Sequence, residues 1–242
     1  MQPAERAKTS TSRRAPGAAA RGPSALRVGL LVLAALVLAG APARASLFTR
    51  YSPANRERPL RGRTDYIVLH TTEAPGASAF RKLFRNGEAH YFVDRAGSVK
   101  PIIRRDRLAC HAGRSMWRGR TNIDRYSIGI EVEGYYNGTL TDKQYTALKK
   151  LLDELKRIYQ VSDARVLAHS MVAYGEPNRW FSRPHRGRKR CGMLFALPSV
   201  RRRLGLLAQP RYDPDVAAGR LTVGDPYLAR MLYATAATKG AR

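Results

Sequence analysis

The 242-residue sequence predicts an α/β fold, a single domain with a central mixed β-sheet flanked by helices. Short apolar runs typical of buried strands recur along the chain, and segments with helical periodicity alternate with them. Two of the runs flank a turn-like tripeptide and therefore predict a hairpin. Hydrophobic residues make up 44% of the chain, which is ordinary for a folded protein with one sizeable core.

Residues 1–45 predict a signal peptide or an N-terminal anchor. They hold seven basic residues and one acid, with an apolar run at 28–41 that is shorter than the roughly 20 residues a membrane span needs. The run ends in APARA-S, in which Ala43 and Ala45 supply the small residues of a signal-peptidase site. We expect export to the periplasm or cell exterior, with no membrane span after cleavage. An uncleaved anchor is the alternative.

The elements of the folded part follow in order. Residues 46–64 are polar and rich in Pro and Arg, which predicts an extended lead-in, and the domain itself is expected over 65–207. Its first half carries a strand at 65–69, a helix at 78–86, a hairpin at 91–93 and 99–103, and an alternating strand at 127–133.

The second half opens with the clearest helix. Thr141 and Gln144 match a capping box. The apolar stripe that follows contains Tyr145, Leu148, Leu152, Leu155 and Ile158/Tyr159. A short strand at 166–168 comes next, and residues 208–242 are expected to form a partly helical tail with a helix at 226–237.

The net charge of +26 predicts an anionic partner. Without residues 1–45 the chain keeps 37 basic and 17 acidic residues, a net charge of +20, so most of the excess belongs to the folded part. Because export removes the chain from chromosomal DNA, we expect an anionic cell-envelope surface and no specific nucleic acid. Two cysteines are too few for a disulfide scaffold.

Two histidines, His70 and His169, each follow a short apolar strand, where a sheet presents reactive side chains at a cleft. A third ligand would complete a catalytic zinc site. From the residues alone, the choices are Cys191, Cys110, His111, His185 and the carboxylates.

Six motifs resemble the zinc-dependent N-acetylmuramoyl-L-alanine amidase superfamily, which includes wall amidases and peptidoglycan recognition proteins. They follow the family's order over about residues 65–206. The motifs are VLHTT at 68–72, EAHYFVDRAGSV at 88–99, CHAG at 110–113, SIGIEVEG at 127–134, LAHS at 167–170 and GRKRCG at 187–192.

The resemblance implies one catalytic Zn²⁺ held by His70, His169 and Cys191. It also implies that Glu131 handles the proton of the attacking water and that Lys189 stabilises the oxyanion. His111 and His90 are expected to bind substrate. The implied activity is cleavage between the lactyl group of N-acetylmuramic acid and L-alanine in peptidoglycan or muropeptides, by a monomer. The alternative is a non-catalytic peptidoglycan-binding module of the same fold.

Three alternatives remain open at this level. Glu133 has the same strand parity as Glu131, so spacing alone does not separate them. The stretch before Cys191 carries an insertion that contains His185, which could compete as the third ligand. A disulfide between Cys110 and Cys191 would suit an exported protein. We favour a zinc thiolate, because the disulfide would leave two histidines without a third matched ligand.

Overall fold

The structure, a computed structural model, describes residues 51–233 of the chain. Its strands are β1 (Tyr66–Thr71), β2 (Tyr91–Val93), β3 (Val99–Pro101), β4 (Met116–Trp117), β5 (Arg120–Thr121), β6 (Ser127–Val132), β7 (Val166–Ala168), β8 (Tyr174–Gly175), β9 (His185–Arg186) and β10 (Thr222–Val223). Its α-helices are α1 (Gly76–Asn86), α2 (Asp142–Tyr159), α3 (His169–Val172), α4 (Pro198–Arg203), α5 (Pro214–Ala217) and α6 (Pro226–Tyr233). The predicted targeting segment, residues 1–45, lies outside the described residues.

The central sheet has five strands in the order β3-β2-β6-β1-β7. β3 is antiparallel to β2 and the other neighbours are parallel, which confirms the predicted mixed sheet. β1 and β6 are buried at every residue, so both faces of the sheet are covered in its centre. Their parallel register pairs His70 with Glu131. Polar residues at the carboxyl ends of these two strands are therefore neighbours.

Helix α2 confirms the predicted capping box. The Thr141 hydroxyl oxygen accepts the N–H of Gln144 at 3.1 Å, and the Gln144 amide oxygen accepts the N–H of Thr141 at 3.0 Å. At the end of the predicted stripe, Ile158 is 37% exposed and Tyr159 is half-buried. The buried apolar residues of α2 are Leu148, Leu151, Leu152 and Leu155.

Boundaries of the earlier elements differ by a few residues from expectation. β1 continues two residues past the predicted end and includes His70. Helix α1 begins at Gly76 rather than at residue 78, and it ends where Gly87 adopts a left-handed conformation with φ 64°. The predicted hairpin is present as β2 and β3, although β3 ends at Pro101.

The two ends of the described chain both pack onto the domain. Pro53–Arg56 forms a 3-10 helix within the segment that we expected to be extended. After residue 207 the chain forms α5, β10 and α6, and Leu228 and Leu232 of α6 lie in the main hydrophobic core. The predicted helix at 226–237 begins at Pro226, and its part after Tyr233 lies outside the described residues. Within residues 51–233, no helix has the length and apolarity needed to cross a bilayer.

Candidate metal and catalytic site

Two histidines and a cysteine meet at the carboxyl ends of adjacent parallel strands. His70 lies next to the end of β1, and His169 directly follows β7, its neighbour in the sheet. Cys191 reaches the same place from the loop after β9, with its Sγ 3.9 Å from His70 Nδ1. One potential ligand atom from each residue lies within 4.8 Å of the other two. The structure thus brings together the three residues that the resemblance implied as metal ligands.

Backbone contacts on both sides fix the position of Cys191. The N–H of Gly192 donates to the Thr71 hydroxyl oxygen at 2.8 Å, and the carbonyl oxygen of Cys191 accepts the N–H of Ser170 at 3.0 Å. Gly192 has φ 73°, and a Cβ at this position would overlap the carbonyl oxygen of Leu69. Glycine is therefore required for the loop to approach β1 this closely.

A directional chain of hydrogen bonds fixes the tautomer of His70. The Ser127 hydroxyl donates to the Ile123 carbonyl oxygen at 2.7 Å, so its own oxygen accepts the Nε2–H of His111 at 3.1 Å. His111 then carries its lone pair on Nδ1, which accepts the Nε2–H of His70 at 3.1 Å. The lone pair of His70 is left on Nδ1, the nitrogen nearest Cys191.

His169 has the same tautomer for a different reason. Its Nε2–H donates to the Ala112 carbonyl oxygen at 3.1 Å, while its Nδ1 is buried and has no hydrogen-bond partner among residues 51–233. Burial lowers the pKa of His169 to about 3 and lowers the pKa of His70 well below its usual range, and nearby histidines add to both effects. Both imidazoles are neutral at pH 7, which is the form that binds metals.

Glu131 lies beside this cluster with one oxygen uncommitted. Its Oε1 is 3.6 Å from His70 Nδ1, and its buried Oε2 has no hydrogen-bond partner within the described part of the chain. Burial, followed by repulsion from Glu88 and Glu73, raises the pKa of Glu131 to about 8. A carboxyl group with a pKa this close to neutral can both accept and release a proton.

Glu133, unlike Glu131, binds backbone N–H groups outside the histidine cluster. Its carboxylate accepts the N–H of Gly76, the first residue of α1, at 3.1 Å and the N–H of Arg95 at 2.9 Å. It therefore caps the helix and fixes the turn of the hairpin. Strand parity left the two glutamates equivalent, whereas the tertiary structure directs only Glu131 to the histidines.

The cluster opens onto a cleft of about 520 Å³. The exposed side chains of Arg188 and Lys189 line it, and their positive charges contribute to the lowered pKa of His169. The charged residues of the cleft are Glu73, Lys82, Glu88, Glu131, Arg188 and Lys189. A cleft of this size and polarity suits a small polar ligand with charged groups of both signs.

The structure separates the other candidate ligands from the site. Both cysteines are free in the described chain, and the exposed Cys110 thiol accepts a hydrogen bond from Arg58 at 2.8 Å, so the Cys110–Cys191 disulfide is not formed. His185 is buried in β9, and its ring stacks on Phe181 with the ring centres 4.0 Å apart. It does not join His70 in the ligand cluster.

The two histidines expected to bind substrate, His90 and His111, both have hydrogen-bonded ring nitrogens, and His111 also lines the cleft. His90 is fully buried: its Nδ1 accepts the N–H of Gly129 at 2.9 Å, and its Nε2–H donates to the Arg107 carbonyl oxygen at 3.0 Å. The imidazole of His111 is also fully buried, and Ser127 and His70 occupy both of its nitrogens. These rings have no free polar atom to offer a substrate.

Sequence reasoning missed Ser127, although a signal for it was present. Side chains alternate along a strand, so Ser127, Gly129 and Glu131 lie on the same face of β6. Ser127, four residues before Glu131, is therefore a polar residue that points to the same side. A Cβ at Gly129 would overlap the ring of His111. The glycine therefore makes room for the histidine that connects Ser127 to His70.

A sequence profile described as N-acetylmuramoyl-L-alanine amidase (Amidase_2) matches residues 60–191, more than half of the chain. The chain belongs to this family. The matched region contains the whole cluster and ends on Cys191. The segment after Cys191, including α4, α5 and α6, lies outside the amidase profile.

Two curated relatives illustrate the similarity. The 1,6-anhydro-N-acetylmuramyl-L-alanine amidase AmpD of Haemophilus influenzae is 32% identical over 86 residues, which cover 35% of this chain and 47% of that protein. The N-acetylmuramoyl-L-alanine amidase AmiD of Escherichia coli is 29% identical over 164 residues, 59% of each chain. This chain thus spans about half the length of the curated relatives that it matches.

Solved structures support the predicted amidase-like fold. The crystal structure of AmpDh3 from Pseudomonas aeruginosa matches with a TM-score of 0.51 over 76% of this chain and 88% of that one, at 18% sequence identity. At this identity the match speaks for the fold alone. The fold expected from the six motifs is confirmed.

Proposed function

We propose that this chain is a zinc-dependent amidase that cleaves the bond between the lactyl group of N-acetylmuramic acid and L-alanine in peptidoglycan or muropeptides. One observation carries the proposal: two neutral, buried imidazoles and a thiol converge on one point, beside a carboxyl group whose Oε2 has no hydrogen-bond partner among residues 51–233. Membership of the amidase family supports the same chemistry.

The donor set fits Zn²⁺. Two imidazole nitrogens and one thiolate are ligands that zinc prefers, and three protein ligands leave a fourth position for water or substrate. The buried Nδ1 of His169 lacks a partner in residues 51–233, which is unfavourable unless a ligand satisfies it. When bound, zinc supplies Lewis acidity, which polarises a carbonyl oxygen and makes water more acidic.

Glu131 then acts as the proton carrier. Its Oε2 takes a proton from the attacking water and delivers it to the nitrogen of the leaving L-alanine. Burial raises the pKa of Glu131 to about 8, although the positive charge of Lys82 opposes the increase. A cation held by His70, His169 and Cys191 would lower that pKa further, so that Glu131 would start as a carboxylate ready to accept a proton.

Lys189 is proposed to stabilise the oxyanion that forms on the carbonyl oxygen. Its exposed ammonium group borders the cleft two residues before Cys191. A cation at this position contributes more as negative charge develops than it does in the ground state, which is the condition for lowering the barrier.

The substrate class is proposed from the relatives. The AmpD proteins are named for 1,6-anhydro-N-acetylmuramyl peptides, and we extend that class to this chain together with other muropeptides. The pattern of residues 1–45 and the charge of +20 on the rest support an exported protein that works at an anionic envelope surface, and we propose that it acts as a monomer.

The test combines metal analysis with digestion of a muramyl tripeptide by the purified chain. We expect one zinc per chain and release of a peptide with a free L-alanine amine. Cys191→Ser should lose zinc, whereas Glu131→Gln should keep zinc and lose activity by about 10²- to 10⁴-fold. Glu154→Gln, which alters an exposed ion pair with Arg105, is the control and should match the wild type.

Two results would contradict the proposal. Unchanged zinc content in Cys191→Ser would remove Cys191 from the ligand set. Tight binding of the tripeptide without release of the peptide by the wild type would favour a non-catalytic binding module.

A further inference from the structure

The segment from Asp213 to Tyr233 lies outside the amidase profile, yet it packs against the loop that carries Lys189 and Cys191. β9, at the start of that loop, lies between β8 and β10 in a three-stranded sheet, and β10 comes from this segment. The N–H of Gly224 donates to the Arg186 carbonyl oxygen at 2.8 Å. The two backbones are in direct contact.

A buried ion cluster joins the segment to the first residues of the loop. The Arg186 guanidinium, 5% exposed, donates to Asp213 at 2.6 Å and contacts Asp215 at 3.3 Å. It also donates to the carbonyl oxygens of Val172 and Ala173, at 2.6 and 3.2 Å. These two residues follow His169 closely in the chain. Arg186 therefore connects the segment to the elements that hold the second and third ligands.

A second contact reaches the residue next to Cys191. The Arg190 guanidinium pairs with Asp225 Oδ2 at 2.9 Å and lies 5.1 Å from the centre of the Tyr227 ring. The other oxygen of Asp225 accepts the N–H of Leu228 in the first turn of α6 at 3.0 Å. One carboxylate thus caps α6 and holds Arg190 at the same time.

Helix α6 gives this contact a rigid base. Leu228 and Leu232 are almost completely buried in the main core, and α6 packs against the 3-10 helix Met193–Ala196, which begins two residues after Cys191. The loop is therefore held at both ends and at Arg190, while the side chains of residues 188–190 remain exposed.

We propose that Asp213–Tyr233 is a clamp that positions the metal-ligand loop, and that Asp225 and Arg190 are positioning residues for Cys191. The proposal rests on the assignment of Cys191 as a zinc ligand. A ligand on a loop contributes to affinity only while the loop keeps it in place, so loss of the clamp increases the fraction of time in which Cys191 is displaced.

The experiment compares Asp225→Asn, Arg190→Gln and the double variant in the full chain. Asparagine is a good helix cap, so Asp225→Asn removes the ion pair and keeps the cap of α6. The first readout is the alkylation rate of Cys191 in the metal-free protein, measured by peptide mass analysis, which distinguishes it from Cys110. The second is the rate at which the zinc-loaded protein loses zinc to excess chelator.

Both single variants should raise both rates by about two- to fivefold. The double variant should be no faster than Arg190→Gln, because that substitution alone removes both the ion pair with Asp225 and the contact with the Tyr227 ring. The midpoint of thermal unfolding should change no more than it does in Glu154→Gln. This control alters an exposed ion pair between Arg105 and Glu154 of α2.

Wild-type rates in both variants would overturn the clamp. So would a lowered thermal midpoint with unchanged Cys191 alkylation, because that result describes a purely structural ion pair. If the wild type binds no zinc, the proposed function fails, and the alkylation rate still decides whether the clamp positions Cys191.

Discussion

Replacing Ser127 by alanine should weaken zinc binding while the chain stays folded. The substitution removes the hydroxyl that accepts the Nε2–H of His111 and leaves this buried N–H only the Asp124 carboxylate, whose oxygen is 3.6 Å from Nε2. His111 can avoid this by moving its proton to Nδ1, where it would face His70. His70 would then have to carry its proton on Nδ1, which removes the lone pair that the metal needs.

The loss of zinc affinity depends on the free energy of leaving the buried Nε2–H of His111 without its hydrogen bond to Ser127. An unsatisfied buried N–H costs about 1–3 kcal/mol, and this is the free energy that now opposes the ligand-competent tautomers. Because about 1.4 kcal/mol corresponds to a factor of ten, zinc affinity should fall by about 5- to 150-fold. Residues that orient metal-bound histidines typically have effects of this size.

The assay is competition for zinc with a chelator of known affinity, combined with ¹⁵N chemical shifts that report the protonated ring nitrogen. Ser170→Ala is the matched control. Ser170 is fully buried next to His169, and its hydroxyl has no hydrogen-bond partner in the described structure. This control should therefore bind zinc as the wild type does.

Wild-type zinc affinity in Ser127→Ala, together with unchanged ring-nitrogen shifts, would mean that Ser127 does not set the tautomer of His70. Equal weakening in Ser127→Ala and Ser170→Ala would also contradict this role of Ser127, because the cause would then be general loosening around the sheet.

Three further predictions concern the cleft and the scaffold. Lys189→Met should lower kcat by about 100-fold with little change in KM, and a loss confined to KM would contradict its oxyanion role. For Asp163, burial raises the carboxyl pKa, but hydrogen bonds from Lys156 and the Leu207 amide outweigh it, so the net pKa is lowered. Asp163→Asn should therefore lower the free energy of unfolding at pH 7 by about 1 kcal/mol, measured by urea unfolding. The difference from the wild type should vanish as the pH falls through the lowered pKa of Asp163. A difference that does not depend on pH would mean that the charge of Asp163 is not its cause. Thr141→Ala removes the cap of α2 and should lower the free energy of unfolding by about 1 kcal/mol, whereas an unchanged urea midpoint would mean that the cap contributes nothing.

Local signals identified the elements that depend on near neighbours in the chain. The capping box and the apolar spacing of α2 involve contacts three or four residues apart, and the structure confirms both. The ends of helices and strands were predicted less accurately where they depend on a contact with a residue distant in the chain. Helix α1 starts at Gly76 because the Glu133 carboxylate, far along the chain, binds its first N–H.

The candidate site divides in the same way. The order of residues along the chain places one histidine at the carboxyl end of β1 and another directly after β7. Only the tertiary structure decided that Glu131 rather than Glu133 faces them, that His111 and Ser127 orient His70, and that His185 stays away. Strand parity and motif order are properties of the chain over a few residues. Hydrogen-bond partners and burial depend on segments tens of residues apart, which become neighbours only when the domain folds.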